Sequence, residues 1–148
     1  MTGIVPRSLG TTLAAEPSSV QERWFSGLYV LKPLLFVMFP LFWIVTGIIS
    51  LGPGYEAGVD LMRNGGAGGI SELCVVAGGV ADILIGLAIA FRRTTRTGLY
   101  AALTMTVFYL IAGTALLPGL WLDPLGRLLK AVPIMVLNLM AIAILEDR

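Results

Sequence analysis

The run "YVLKPLLFVMFPLFWIVTGIISL" at residues 29–51 carries a single charge, Lys32, along its whole length. As an α-helix rising about 1.5 Å per residue, it is long enough to cross a hydrocarbon layer of about 30 Å. A helix apolar on every side belongs either in lipid or in the middle of a large protein core. A chain of 148 residues cannot wrap a core of that size around several such helices. Three more runs of the same kind follow, at 72–91, at 98–117 and at 124–145, the last starting at Pro124 or Leu128. Pro53 with Gly54, Pro118, and Asp123 with Pro124 punctuate them as helix boundaries. Composition agrees, with 57% of residues hydrophobic and 13% charged, against about 25% charged in soluble domains. The chain therefore reads as an all-α membrane protein, a four-transmembrane-helix bundle occupying residues 29–148.

Residues 1–28 read as a cytoplasmic N-terminal segment. They lack a continuous apolar core with a small-residue cleavage site, so the first span is expected to direct insertion itself. Ser19 and Glu22 have capping-box spacing, and Val20, Trp24, Phe25 and Leu28 recur at helical intervals among Gln21, Glu22 and Arg23. This pattern predicts a short amphipathic helix at about 18–28, lying on the inner membrane surface. Basic residues set the orientation, because cytoplasmic connections carry the excess of Lys and Arg. With the N-terminus inside, Arg7, Arg23, Lys32, Arg92, Arg93, Arg96 and Arg148 are cytoplasmic and Arg63, Arg127 and Lys130 are not, seven against three. Both termini are expected in the cytoplasm.

Several functional classes drop out. A net charge of +1 and the absence of histidine leave neither a basic nucleic-acid footprint nor an imidazole-based metal or acid–base site. The single cysteine, Cys74, allows no disulfide within the chain and no thiolate cluster, and reads as a buried, inert thiol near the outer end of the second span. The glycines of the loop at 52–72 follow a membrane helix rather than a strand, so they are no nucleotide fingerprint.

The polar residues inside the spans remain. Asp82 lies in "GGVADILIGLAIAFRR" at 78–93, with Gly78 and Gly86 four residues to either side. A charged acid at the bilayer centre costs about 2.5–3.5 kcal/mol on insertion scales; Asp82 therefore needs a partner or a proton, and its small-residue face suits close helix contact. Residues halfway along each span should meet in one layer, which nominates Thr46, Asp82, Tyr109 and Asn138, with Trp43 on the same side of the first helix as Phe39 and Gly47. Such a layer is either a hydrogen-bonded plug that specifies the bundle or the wall of a pocket for a flat, partly polar ligand. Lys130 falls in the second turn of the fourth span, about 10 Å from the Asp82 level along the axis. It either reaches the layer or snorkels to the outer interface with Arg127. Pro133 is expected to bend the fourth helix beside it. Trp24 and Trp121 read as interfacial anchors.

The blocks "GGVADILIGL", "RRTTR", "FYLIAGTALLP" and "LLPGLWLDPLGRLLKAVP", in this order and spacing, resemble the DoxX-like membrane family over about residues 7–147. Ala131 stands where relatives often have Asn, while Lys130 matches. The segment at 7–35 is similar to the junction by which some members follow a soluble NAD(P)-binding domain of the short-chain-dehydrogenase type. The resemblance implies a four-helix unit of the bacterial inner membrane, and more distant relatives belong to redox systems that use quinone or handle thiols. The expected function is an integral membrane anchor or accessory subunit of a bacterial redox system, partnered by a soluble NAD(P)-dependent oxidoreductase and not an enzyme on its own. The alternative is a quinone-binding subunit whose polar layer surrounds Asp82, the acid exchanging a proton as the headgroup is reduced. A second alternative is a small homo-oligomeric transporter. No metal and no covalently bound cofactor is expected, and the bilayer is the one partner that the composition itself requires.

Overall fold

The computed structural model describes residue 10 and residues 20–123 and 126–145. The described elements are the helices α1 (Val20–Leu51), α2 (Tyr55–Asn64), α3 (Ser71–Ala90), α4 (Thr95–Leu116) and α5 (Ala131–Leu145), with 3₁₀ turns at Gly68–Ile70 and Pro118–Trp121. Three stretches, Trp24–Leu51, Gly68–Ala90 and Thr95–Leu116, are long and apolar enough to cross a membrane. The chain is thus a helical membrane protein. The fourth span differs from expectation: α5 has 15 residues and reaches about 23 Å, short of a full crossing. The expected start at 124 lies outside the described residues, and that at 128 gives way to a turn at 127–130.

Residues 1–33 and 34–148 form two compact units. In the first, Trp24, Phe25, Tyr29, Val30 and Leu31 are exposed apolar side chains. The separate amphipathic helix expected at 18–28 is not a distinct element, since α1 starts at Val20 and has no end near residue 28. Gly27 is the one poor helix former at that boundary, and a single glycine costs only about 1 kcal/mol within a helix. Residues 18 and 19, including the expected cap Ser19, lie outside the described residues.

In the second unit, small residues set the helix contacts. A Cβ on Gly86 would come within 2.6 Å of the Ile44 side chain and 2.8 Å of the Pro40 carbonyl, and one on Gly47 would meet the Gly79 carbonyl and Ile83. Only glycine lets the backbones of α1 and α3 approach this closely. Because Gly47 meets Gly79 while Pro40 meets Gly86, these two helices run antiparallel. The same logic applies further on: Gly98 abuts Ile89 and Gly78 abuts Tyr109 between α3 and α4, while Leu128 packs on Gly113 and Asn138 bonds Leu99 beside α4. The packing therefore alternates up and down. Phe36, Phe39, Trp43, Ile85, Ile89, Leu99, Ala102 and Ala141 form the core, which fills the end of this unit nearest the 91–94 turn. Outward, Leu73, Leu84, Leu87, Phe108 and Ile111 are exposed, as helix faces turned to lipid should be.

Two connections carry more structure than expected. The loop at 52–72 contains α2, whose buried residue Val59 is flanked by Tyr55 and Met62 at four- and three-residue spacing. Arg63 ties it to Glu72 at 3.3 Å. In the basic turn, the buried Thr95 hydroxyl donates to the Ile89 and Phe91 carbonyls at 3.0 and 2.9 Å, and Thr94 donates to Ala88 at 2.8 Å. These bonds satisfy carbonyls that a helix C-terminus leaves open.

Candidate functional site

The α3–α4 hairpin brings Asp82 opposite Tyr109. The Tyr109 hydroxyl donates to Asp82 Oδ1 at 3.0 Å, and Gly78 makes room for it, since a Cβ there would lie 3.1 Å from that oxygen. Asp82 is 4% exposed. The acid expected to need a partner in lipid has one on the neighbouring helix.

Beside this pair lies a cavity of about 160 Å³. Trp43, Thr46 and Phe42 line it from α1, Asp82 from α3, Thr106, Tyr109 and Leu110 from α4, and Arg127, Leu128, Ala131 and Ile134 from the last segment. Most of this wall is apolar. Its hydroxyls on Thr46 and Thr106 are bonded back to their own helices, to Phe42 at 2.7 Å and Ala102 at 2.8 Å. The Trp43 indole N–H is different: Trp43 is 3% exposed, and its Nε1 has no acceptor. Buried donors are nearly always paired; this one is enclosed within the packed side chains rather than open to the cavity. Phe42 and Arg127 are also exposed, so the cavity reaches the surface of the chain.

The turn at 127–130 puts Leu128 against Gly113, and Leu128 and Asp82 both line the space. Pro133 accordingly sits in the first turn of α5 rather than in its middle. There its missing N–H deprives no established helical bond, and the Leu129 carbonyl accepts from Val132 instead. The bend expected from Pro133 is replaced by a helix start.

Trp43, Thr46, Asp82 and Tyr109 thus share the cavity, while Asn138 and Lys130 do not. Asn138 is fully buried but lies elsewhere, donating from Nδ2 to the Leu99 carbonyl at 3.2 Å. Leu99 lies near the start of α4, so this bond places Asn138 towards the basic turn rather than at the Asp82 level. Lys130 is exposed in the turn before α5 and is absent from the cavity wall. Arg127, expected at the interface, takes that place. Its Nε donates to Asp123 Oδ2 at 2.7 Å. No periodic signal in the sequence distinguishes it from an ordinary interfacial arginine; the clue was Asp123 four residues earlier. Cys74 is exposed, not buried, because the opening turn of α3 faces outward at residues 72–74. Trp121 donates to Thr114 Oγ1 at 3.1 Å.

Apolar helices around an acid–phenol pair and a small cavity define a helical membrane protein with a polar site inside its bundle. Residues 40–139 match the DoxX-like family, and the chain belongs to that family. The junction-like segment at 7–35 lies outside the matched residues. No curated protein and no solved structure matches the chain.

Proposed function

We propose that this protein is an accessory membrane subunit of a redox system, and that its cavity holds a lipid-soluble ring ligand of the quinone class. The observation that carries the reading is the cavity itself: an apolar space of about 160 Å³ whose wall includes the Asp82–Tyr109 pair and Arg127. Size narrows the choice. An apolar protein cavity of about 150 Å³ takes up one benzene, whereas pockets for larger cofactors begin at about 300 Å³. A single ring fits, and a dinucleotide does not. Chemistry narrows it further, because a guanidinium group calls for an acceptor oxygen on that ring.

The site binds and orients; the electrons belong to a partner. A soluble NAD(P)-dependent oxidoreductase docked on the exposed Arg92 and Arg93 would be separated from the cavity by the packed core. The ring therefore enters and leaves sideways through the bilayer. Its reduction by two electrons and two protons takes place on the partner. With the basic turn on the cytoplasmic side, this docking face is cytoplasmic and the cavity lies towards the opposite leaflet.

Solvent extraction of protein purified in mild detergent from its own membrane tests the proposal. About one quinone-class molecule per chain is expected. A preparation that yields only phospholipid, and that takes up no added short-chain quinone, overturns it.

A further inference from the structure

The cavity wall contains two charged residue types that do not pair with each other. Asp82 accepts from Tyr109, whereas Arg127 donates to Asp123. Resting on the ring-binding reading above, we propose that Arg127 selects the ligand by donating to an acceptor oxygen on the ring, at the end away from the Asp82–Tyr109 pair, which can accept from a ring hydroxyl.

The placement of Arg127 favours this over simple snorkelling. A snorkelling arginine lays its stem along apolar surface and leaves its head to water. Arg127 lines the cavity with its side chain 52% exposed, but its head is fixed by a carboxylate that is only 16% exposed. The guanidinium has five N–H donors in a rigid fork. Asp123 engages the one on Nε, which fixes the plane in which the terminal amino groups lie. Asp123 is thus a positioning residue. A hydrocarbon ring in the same cavity would leave these guanidinium donors without an acceptor.

Two phenols of matched shape provide the test. 4-Hydroxyacetophenone carries a carbonyl where 4-isopropylphenol carries a methyl group. Binding of each to the full chain in lipid nanodiscs is measured by equilibrium dialysis, with empty nanodiscs as the reference for partitioning. A hydrogen bond to a charged group leads us to expect that wild-type protein prefers the carbonyl probe by about tenfold. Arg127→Met should lose that preference while still binding 4-isopropylphenol, Arg127→Lys should recover part of it, and Asp123→Asn should weaken it. If both probes bind and the preference survives in Arg127→Met, the role of Arg127 is overturned and ring binding stands. If neither probe binds wild-type protein above empty nanodiscs, ring binding fails and this inference fails with it.

Discussion

Tyr109 and Asp82 satisfy one another across α3 and α4, and the cost of separating them is asymmetric. Removing the donor alone leaves a buried carboxyl without its partner, at a cost of about 1–3 kcal/mol. Tyr109→Phe should therefore unfold at lower denaturant in a fixed detergent. The double variant Asp82→Leu/Tyr109→Phe should regain most of that loss, because replacing both partners by apolar groups is nearly neutral. A Tyr109→Phe protein as stable as wild type would show that Asp82 does not depend on this bond. The pair was legible in the sequence because an acid in an apolar run stands out and Tyr109 falls at the matching depth. Arg127 was not, since a basic residue beside a helix end has the same appearance whether it faces water or a cavity.

At the scale of the elements, both ends of α3 and α4 and the C-terminal end of α1 were legible to within a few residues, because apolar length is a strong signal, whereas α1 starts at Val20, well before the expected residue 29. The errors fall where length and glycine content mislead. The segment 52–72 is glycine-rich, which hid the ten residues of α2 and its buried Val59. The fourth apolar run extends beyond α5 because Leu128 and Leu129 are apolar for another reason, Leu128 filling the space over Gly113. That error put Lys130 within a helix rather than in the turn before it. The α1–α3 contact makes its own prediction. Gly86→Ala places a methyl within 2.8 Å of the Pro40 carbonyl, an overpacking worth about 1–3 kcal/mol. Ala77→Gly, on an exposed stretch of the same helix, should cost about 1 kcal/mol by helix propensity alone. Thermal unfolding in detergent that ranked Ala77→Gly as the more damaging of the two would contradict the close packing at Gly86.

For the molecule as a whole, the core and the cavity adjoin within the second unit, with Trp43 belonging to both. Phe36, Ile89 and Leu99 pack the part nearest the basic turn, and the space between α1, α3, α4 and the start of α5 remains unfilled. If this space holds a ring, a photoreactive short-chain quinone added to the protein in nanodiscs should mark its walls, which peptide mapping can locate. Labels are expected on the cavity-facing residues Phe42, Thr46, Thr106 and Leu110, competed by unlabelled quinone and lost in Ala131→Leu, which fills the space. Labels spread over lipid-facing residues such as Leu84 and Ile111, indifferent to competitor and to Ala131→Leu, would contradict ring binding there.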